Sequence, residues 1–135
     1  MLKLTQRLPQ GVLMAFDFGL KRIGVAVGNS ITQTAQAVHV IHTENQQSRF
    51  VEVEKIVRQW QPVGFVVGVP YQEDGSLNSL SQACLRFSRQ LAGRFRLPCA
   101  TVNERYTSVV VQRPQEKIDM YSACLILEQY FQETL

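Results

Sequence analysis

Three acidic residues of this chain stand where acids seldom stand. Asp17 lies inside the apolar run MAFDFG, flanked by Phe16 and Phe18. Glu104 directly follows ATVN at the end of another apolar stretch, and Asp119 opens the last amphipathic segment. Asp119 shares a helix face with Ser122, Ala123, Ile126 and Leu127, at i+3, i+4, i+7 and i+8, which is the core-facing side. A buried carboxylate is expensive without a positive partner. Arg22 and Arg105 could each satisfy one acid as an ordinary ion pair. Three acids converging at one end of a sheet instead favour a shared cation, which relieves their mutual repulsion. Oxygen-only ligands select Mg²⁺ or Mn²⁺ over zinc. Such a centre suits phosphodiester hydrolysis: one ion activates a water, and a second, about 3.5–4 Å away, stabilises the leaving oxygen. The acid on the central strand, Asp17, would bridge the two. No Ser-His-Asp or Cys-His set competes, and His39 and His42, in or beside one strand, read as structural or surface residues.

The elements that must position these acids follow from hydrophobic periodicity. VLMAFDF (12–18) and RIGVAVG (22–28) are short apolar runs joined by Gly19-Leu20-Lys21, which reads as an antiparallel hairpin. AQAVHVIHT (35–43) is a third strand, with Val38 and Val40 on one face and His39 on the other. A Thr43-x-x-Gln46 capping box, or Asn45 itself, starts a helix whose face is Phe50, Val53, Val57 and Trp60 and which ends before Pro62. VGFVVGV (63–69) is apolar throughout, as a strand buried on both faces would be. Turn chemistry at 71–76, including Glu73-Asp74-Gly75-Ser76, precedes a helix carrying Leu77, Leu80, Cys84, Phe87 and Leu91, with Gly93 near its end. LPCATVN (97–103) is a fifth strand, and roughly 118–132 is the last helix. A hairpin meander followed by alternating helices and strands implies an α/β domain, with one mixed five-stranded sheet and helices packed on it.

Composition bounds the rest. The 135 residues amount to one ordinary domain, 1–135, and 45% apolar content implies a real core. A formal charge of +3 permits a polyanionic partner without demanding one. Cys84, Cys99 and Cys124 have neither zinc-site nor disulfide spacing and read as small buried hydrophobes in a reducing compartment. There is no signal-peptide pattern and no membrane-length apolar run, so a cytoplasmic protein with no membrane partner is expected. Arg86, Arg89, Arg94 and Arg96 read as a solvated helix face and its exit. Trp60, Phe87, Tyr130 and Phe131 fit a core better than a base-stacking platform.

Taken in order, AFDFGLKRIGVAVG, VVGVPYQEDGS, NERYTS and DMYSACLILEQYF resemble the YqgF (RuvX-like) family over about residues 12–131. Its members are described as Holliday junction resolvases or as nucleases that mature the 5′ end of pre-16S ribosomal RNA. The resemblance implies a ribonuclease H-like fold, with catalytic and metal-binding acids at Asp17, Glu104 and Asp119, the residues already singled out by their placement. It further implies phosphate-contacting or supporting roles for Lys21, Arg22, Arg105 and Thr107. The implied partners are precursor ribosomal RNA or branched DNA and, through the former, the ribosome, with the chain acting as monomer or homodimer. Asn103 stands where the family usually has Asp, Leu20 where a small polar residue is common, and the stretch from Glu104 to Asp119 is short and keeps only Arg113 and Lys117 as cations beyond Arg105.

Two other readings share parts of this pattern. A nucleic-acid-binding module of the same fold would dispense with catalysis. An actin-like nucleotide-binding fragment would explain DFG followed by a glycine-bearing hairpin. That fold needs two domains around its nucleotide, more than 135 residues supply, and no GxxxxGK[ST] is present.

Overall fold

The computed structural model describes residues 5–42, 45–72, 74–104 and 115–134, with side chains of the last segment from Met120 onward. In chain order it contains β1 (Val12–Phe18), β2 (Arg22–Asn29), β3 (Thr34–His42), α1 (Gln46–Trp60), β4 (Gly64–Val69), α2 (Ser79–Phe95), β5 (Cys99–Asn103) and α3 (Gln115–Glu133). The strands form one mixed five-stranded sheet in the order β3-β2-β1-β4-β5. β1 and β2 are the antiparallel hairpin, whereas β4 pairs parallel with both β1 and β5. Every residue of β4 is buried, as its unbroken apolar run requires of a strand covered on both faces.

Helices cover both sides. α1 and α2 bury Phe50, Val53, Ile56, Cys84, Phe87 and Leu91 against one face. α3 buries Ala123, Ile126, Leu127, Tyr130 and Phe131 against the other. The parallel strands β1, β4 and β5 all end on the same edge of the sheet. The turn into β2 and the last residue of β3 lie there too, since Arg22 pairs with His42. α1 and α2 follow β3 and β4 at this edge, so the carboxyl ends of those strands face the amino ends of these helices.

Several local expectations need correction. Of the two starts expected for α1, Asn45 is its cap, accepting from the Gln47 and Ser48 amides at 2.8 and 3.4 Å, while Thr43 lies outside the described residues. The buried face of α1 is Phe50, Val53 and Ile56, with Val57 and Trp60 only partly covered. Leu77 precedes α2 instead of belonging to it, and both Leu77 and Leu80 are exposed. The cause is Asn78, whose side chain accepts from the Ser81 amide at 2.8 Å and starts the helix there. Gly93 does lie near the end of α2, which Arg96 closes in the left-handed region. In β3 the register shifts opposite Val25 and Ala26, so His39 pairs with Val25 and Val40 with Gly24. That extra residue puts Val38 with the α1/α2 core and Val40 on the opposite face.

Candidate active site

Alternation along β1 sends Met14, Phe16 and Phe18 into the α1/α2 core and Leu13 and Ala15 into the α3 core. Asp17 is in step with Leu13 and Ala15 and therefore lies on the α3 side, half-buried, near the strand's carboxyl end. Its partner on β2 is Gly24. On its other flank the ladder runs to Phe16 beside Val67, which brings Gly68 of β4 alongside Asp17.

Glu104 reaches the same place from β5. Ala100 and Val102 face α3, and the Glu104 amide extends the ladder by donating to the Val69 carbonyl at 2.9 Å. A Cβ built on Gly68 would come within 3.4 Å of Glu104 Oε2 and 2.6 Å of Ile126 Cδ1. The Glu104 carboxylate thus sits over the glycine, and the adjacent strand, about 4.8 Å away, carries Asp17. Gly68 lies between the strands that carry the two acids, and a Cβ there would crowd Ile126 and touch the Glu104 carboxylate.

Burial alone pushes the Glu104 carboxyl above its ordinary range. The Cys84 thiol on α2 is pushed up to about 12, first by burial and then by the negative charges of Glu104 and Asp17. One thiol thus lies within electrostatic reach of both acids. The raised value also makes Cys84 an inert packing group, since a reactive cysteine needs a depressed pKa. Cys99 and Cys124 are likewise free thiols, pushed up by burial to about 12 and about 11.

The remaining expected residues divide into two groups. Lys21 is exposed in the β1–β2 turn and Arg22, half-buried, opens β2, both at the carboxylate edge. Asp119 lies within α3, four residues before Ala123 and seven before Ile126, but its side chain lies outside the described residues, as do Arg105 and Thr107 altogether. Among the described residues no group of three His, Cys, Asp or Glu forms a complete metal cluster. The donor chemistry nevertheless fits a hard divalent cation: the ligands are oxygens, and positive charge would offset the burial that raises Glu104.

Three supporting residues escaped the sequence reading. Gly68 could have been suspected only as the break in an apolar strand. Arg49 is buried in the first turn of α1, with its guanidinium 5.0 Å from the centre of the Phe18 ring, next in chain to Asp17, and its Nε has no hydrogen-bond partner among the described residues. Its spacing to Val53 and Ile56, i+4 and i+7, was the available signal. Gln129 donates to the Asn103 carbonyl at 2.6 Å and so ties α3 to the residue before Glu104.

Residues 11–133 match the family described as "RuvX: Holliday junction resolvase". The chain belongs to the RuvX family. Relatives from Polynucleobacter necessarius and Ralstonia nicotianae are 45% and 44% identical to it, and each is named "Putative pre-16S rRNA nuclease". The first match covers 89% of this chain and 84% of the relative, the second 92% and 88%. Among solved structures, Thermus thermophilus RuvC in complex with a Holliday junction substrate superposes with a TM-score of 0.59 at 15% identity, covering 90% of this chain and 93% of that one. Fowlpox virus resolvase, in complex with substrate Holliday junction DNA, gives 0.59 at 10% identity, over 92% and 99%. These likenesses identify the fold as ribonuclease H-like, which the resemblance of the motifs had implied. RuvX is a nuclease family, and Asp17 and Glu104 lie at one edge of this chain's sheet.

Proposed function

We propose that this RuvX protein is a metal-dependent hydrolase of phosphodiester bonds in structured nucleic acid, and that its substrate is the 5′ end of pre-16S ribosomal RNA. The convergence of Asp17 and Glu104 over Gly68 carries the chemical part of this reading. The substrate is suggested by the names of relatives that match over most of their length. Asp17, Glu104 and Asp119 would hold Mg²⁺ or Mn²⁺, which when bound supplies Lewis acidity to the scissile phosphate and to a water. The chain's own residues do the rest. Asp17 is fixed within the central strand β1, and Glu104 by the bond of its amide to the Val69 carbonyl, so their oxygens would need little rearrangement as charge develops. Lys21 and Arg22, with Arg105 and Thr107 beyond Glu104, would hold substrate phosphate and orient it, as positioning groups that read no base.

The whole of 1–135 acts in this reading as one ribonuclease H-like domain in the cytoplasm, meeting its substrate on the assembling ribosome. Among the described residues no helix is long and apolar enough to cross a membrane. A second reading, resolution of branched DNA, is favoured by the family description. A homodimer would suit two symmetric cuts, whereas a monomer would suit RNA trimming.

The test is cleavage of a precursor RNA and of a four-way DNA junction with Mg²⁺ or Mn²⁺, comparing wild type with Asp17→Asn. The variant should lose at least roughly a thousandfold in kcat, about 4 kcal/mol of barrier. Wild-type cleavage of the junction alone would move the assignment to the second reading. Binding without cleavage of either, at any ion concentration, would leave a non-catalytic nucleic-acid module.

A further inference from the structure

Two arginines lie over phenylalanine rings of the α1/α2 core, and only one of them is explained by the fold. Arg94 sits 4.1 Å from the centre of the Phe50 ring, exposed and in the last turn of α2. A cation there is favoured by the helix dipole and keeps its hydration. Arg49 is the reverse case. It is only 8% exposed and stands in the first turn of α1, which holds no acid. The dipole is positive at that end, so it opposes the guanidinium. Among the described residues the Arg49 side chain has no anionic or hydrogen-bonding partner, and its Nε is sealed from solvent. Nη1 and Nη2 are equally unbonded but not sealed, so the end of the fork opens to water. Burial holds its pKa below the ordinary arginine range, yet a guanidinium stays charged in a protein. The Phe18 ring, 5.0 Å away, attracts the cation but leaves the N–H groups in the guanidinium plane unused. A buried charge kept without a counter-charge points to an anion that arrives from outside.

Geometry fixes where that anion would bind. Arginine side chains on a helix run back toward its amino end. Phe18 closes β1 at the edge where α1 begins, so its ring holds the guanidinium at that end. Phe18 belongs to the α1/α2 core, whereas Asp17 and Glu104 lie on the α3 side. The opening is therefore a second place at this edge, on the other face of the sheet from the carboxylates. Asn45 already takes the Gln47 and Ser48 amides, so the fork itself must supply the hydrogen bonds and the helix its positive potential. A guanidinium is weakly hydrated and matches phosphate oxygens two at a time, which suits a partly buried site. A phosphate group also carries up to two charges for the dipole and the cation to attract together.

We propose that Arg49, at the amino end of α1, is the centre of a phosphate-group site on the face opposite the carboxylates. The site does not rest on the chain being a nuclease. Its ligand is a phosphate group, either free or part of a nucleic-acid strand, and the two sources are separated by the test. The probe is inorganic phosphate, added to the full chain without divalent ions so that the carboxylate site holds no metal to attract it. The readouts are the Nε–H resonance of Arg49, assigned by its absence in Arg49→Lys, and the melting temperature. The variants are Arg49→Met, which keeps the packing of the stem, Arg49→Lys, which keeps the charge, and Arg94→Met as control.

In wild type the resonance should move saturably with phosphate and the melting temperature should climb, while acetate at equal ionic strength does neither. Arg49→Met should weaken phosphate affinity roughly ten- to a hundredfold, the worth of a hydrogen bond to a charged group. Arg49→Lys should lose less, and Arg94→Met should match wild type. A resonance that phosphate leaves unmoved, or moves no further than acetate, overturns the site. So does an unchanged phosphate response in folded Arg49→Met. If Arg49→Met does not fold, the wild-type resonance still decides. A single-stranded RNA that moves the same resonance assigns the group to a nucleic-acid strand. RNA without effect, where phosphate acts, assigns the site to free phosphate. Cleavage is not part of the readout, so failure here leaves the proposed function standing.

Discussion

On the α1/α2 side of the sheet the contacts are made by large rings. Phe16 and Phe65 lie with centroids 5.9 Å apart, and Phe87 meets Phe16 edge-on at 5.4 Å and Phe18 at 4.8 Å. On the α3 side the sheet itself presents smaller residues: Ala15, Ala26 and Ala100 are buried beneath α3, which adds Ala123 beside Ile126, Leu127, Tyr130 and Phe131. At Gly28 a Cβ would strike the Thr34 carbonyl oxygen at 2.0 Å and Leu127 Cδ2 at 2.8 Å. Rings fill space and lock the strands, while alanine and glycine let α3 approach the sheet closely. Asp17 and Glu104 lie on the α3 side, at its open edge. The ring side serves as its platform. The division assigns stability mainly to one face and chemistry to the other, and that can be tested from both.

The largest effect on stability is expected from Phe87→Ala, which removes a ring touching Phe16, Phe18 and Phe50. A loss of about 3–5 kcal/mol in urea unfolding is expected for a fully buried aromatic, with metal-dependent cleavage retained by whatever fraction remains folded at low temperature. A loss below about 1 kcal/mol would mean that the rings are not the platform.

Gly68→Ala should act on the other face. The new methyl meets Ile126 Cδ1 at 2.6 Å and Cγ1 at 2.9 Å, with Glu104 Oε2 at 3.4 Å. Overpacking of this kind costs about 1–3 kcal/mol, and Ile126 must shift; a push passed on to the neighbouring Glu104 carboxylate should lower kcat, by roughly a hundredfold for a shift near 1 Å. Adding Ile126→Val should recover stability and part of the rate. Full activity in Gly68→Ala would show that Glu104 does not depend on that gap.

The architecture was readable in the sequence because it rests on local patterns: the DFG hairpin, the two-face apolar run before Pro70, and the helical spacing of Phe87 and Leu91. The acids were readable because a carboxylate inside an apolar run contradicts its surroundings. What could not be read depended on distance through space. That Gly68 sits between Asp17 and Glu104 requires strands β1, β4 and β5 to be adjacent, and nothing local in VVGVP announces it. Arg49 was hidden among polar residues, since a charged residue at a core position reads as surface until Phe18 is seen beneath it. The bulge at Val38 was hidden for a related reason, as an added residue shifts the alternation on which face assignments depend.

The smallest effect is the most specific to the carboxylate edge. Because burial raises the Glu104 carboxyl above its ordinary value near 4.5, the folded protein keeps that proton after the unfolded chain has lost it. The native state then binds more protons in that interval, so stability falls as pH rises from the ordinary value through the raised one. Glu104→Gln removes the titrating group, and its melting temperature should exceed that of wild type by an increment that grows across this interval and levels off at neutral pH. Saturating Mg²⁺ should narrow the gap, since a bound cation stabilises the folded ionised acid in wild type and has one ligand fewer in the variant. Melting curves from pH 4 to 8, with and without the ion, read both effects. Parallel profiles for the two proteins would mean that Glu104 is not held desolvated, and the edge would then be an ordinary solvated rim, with no advantage for chemistry over the platform face.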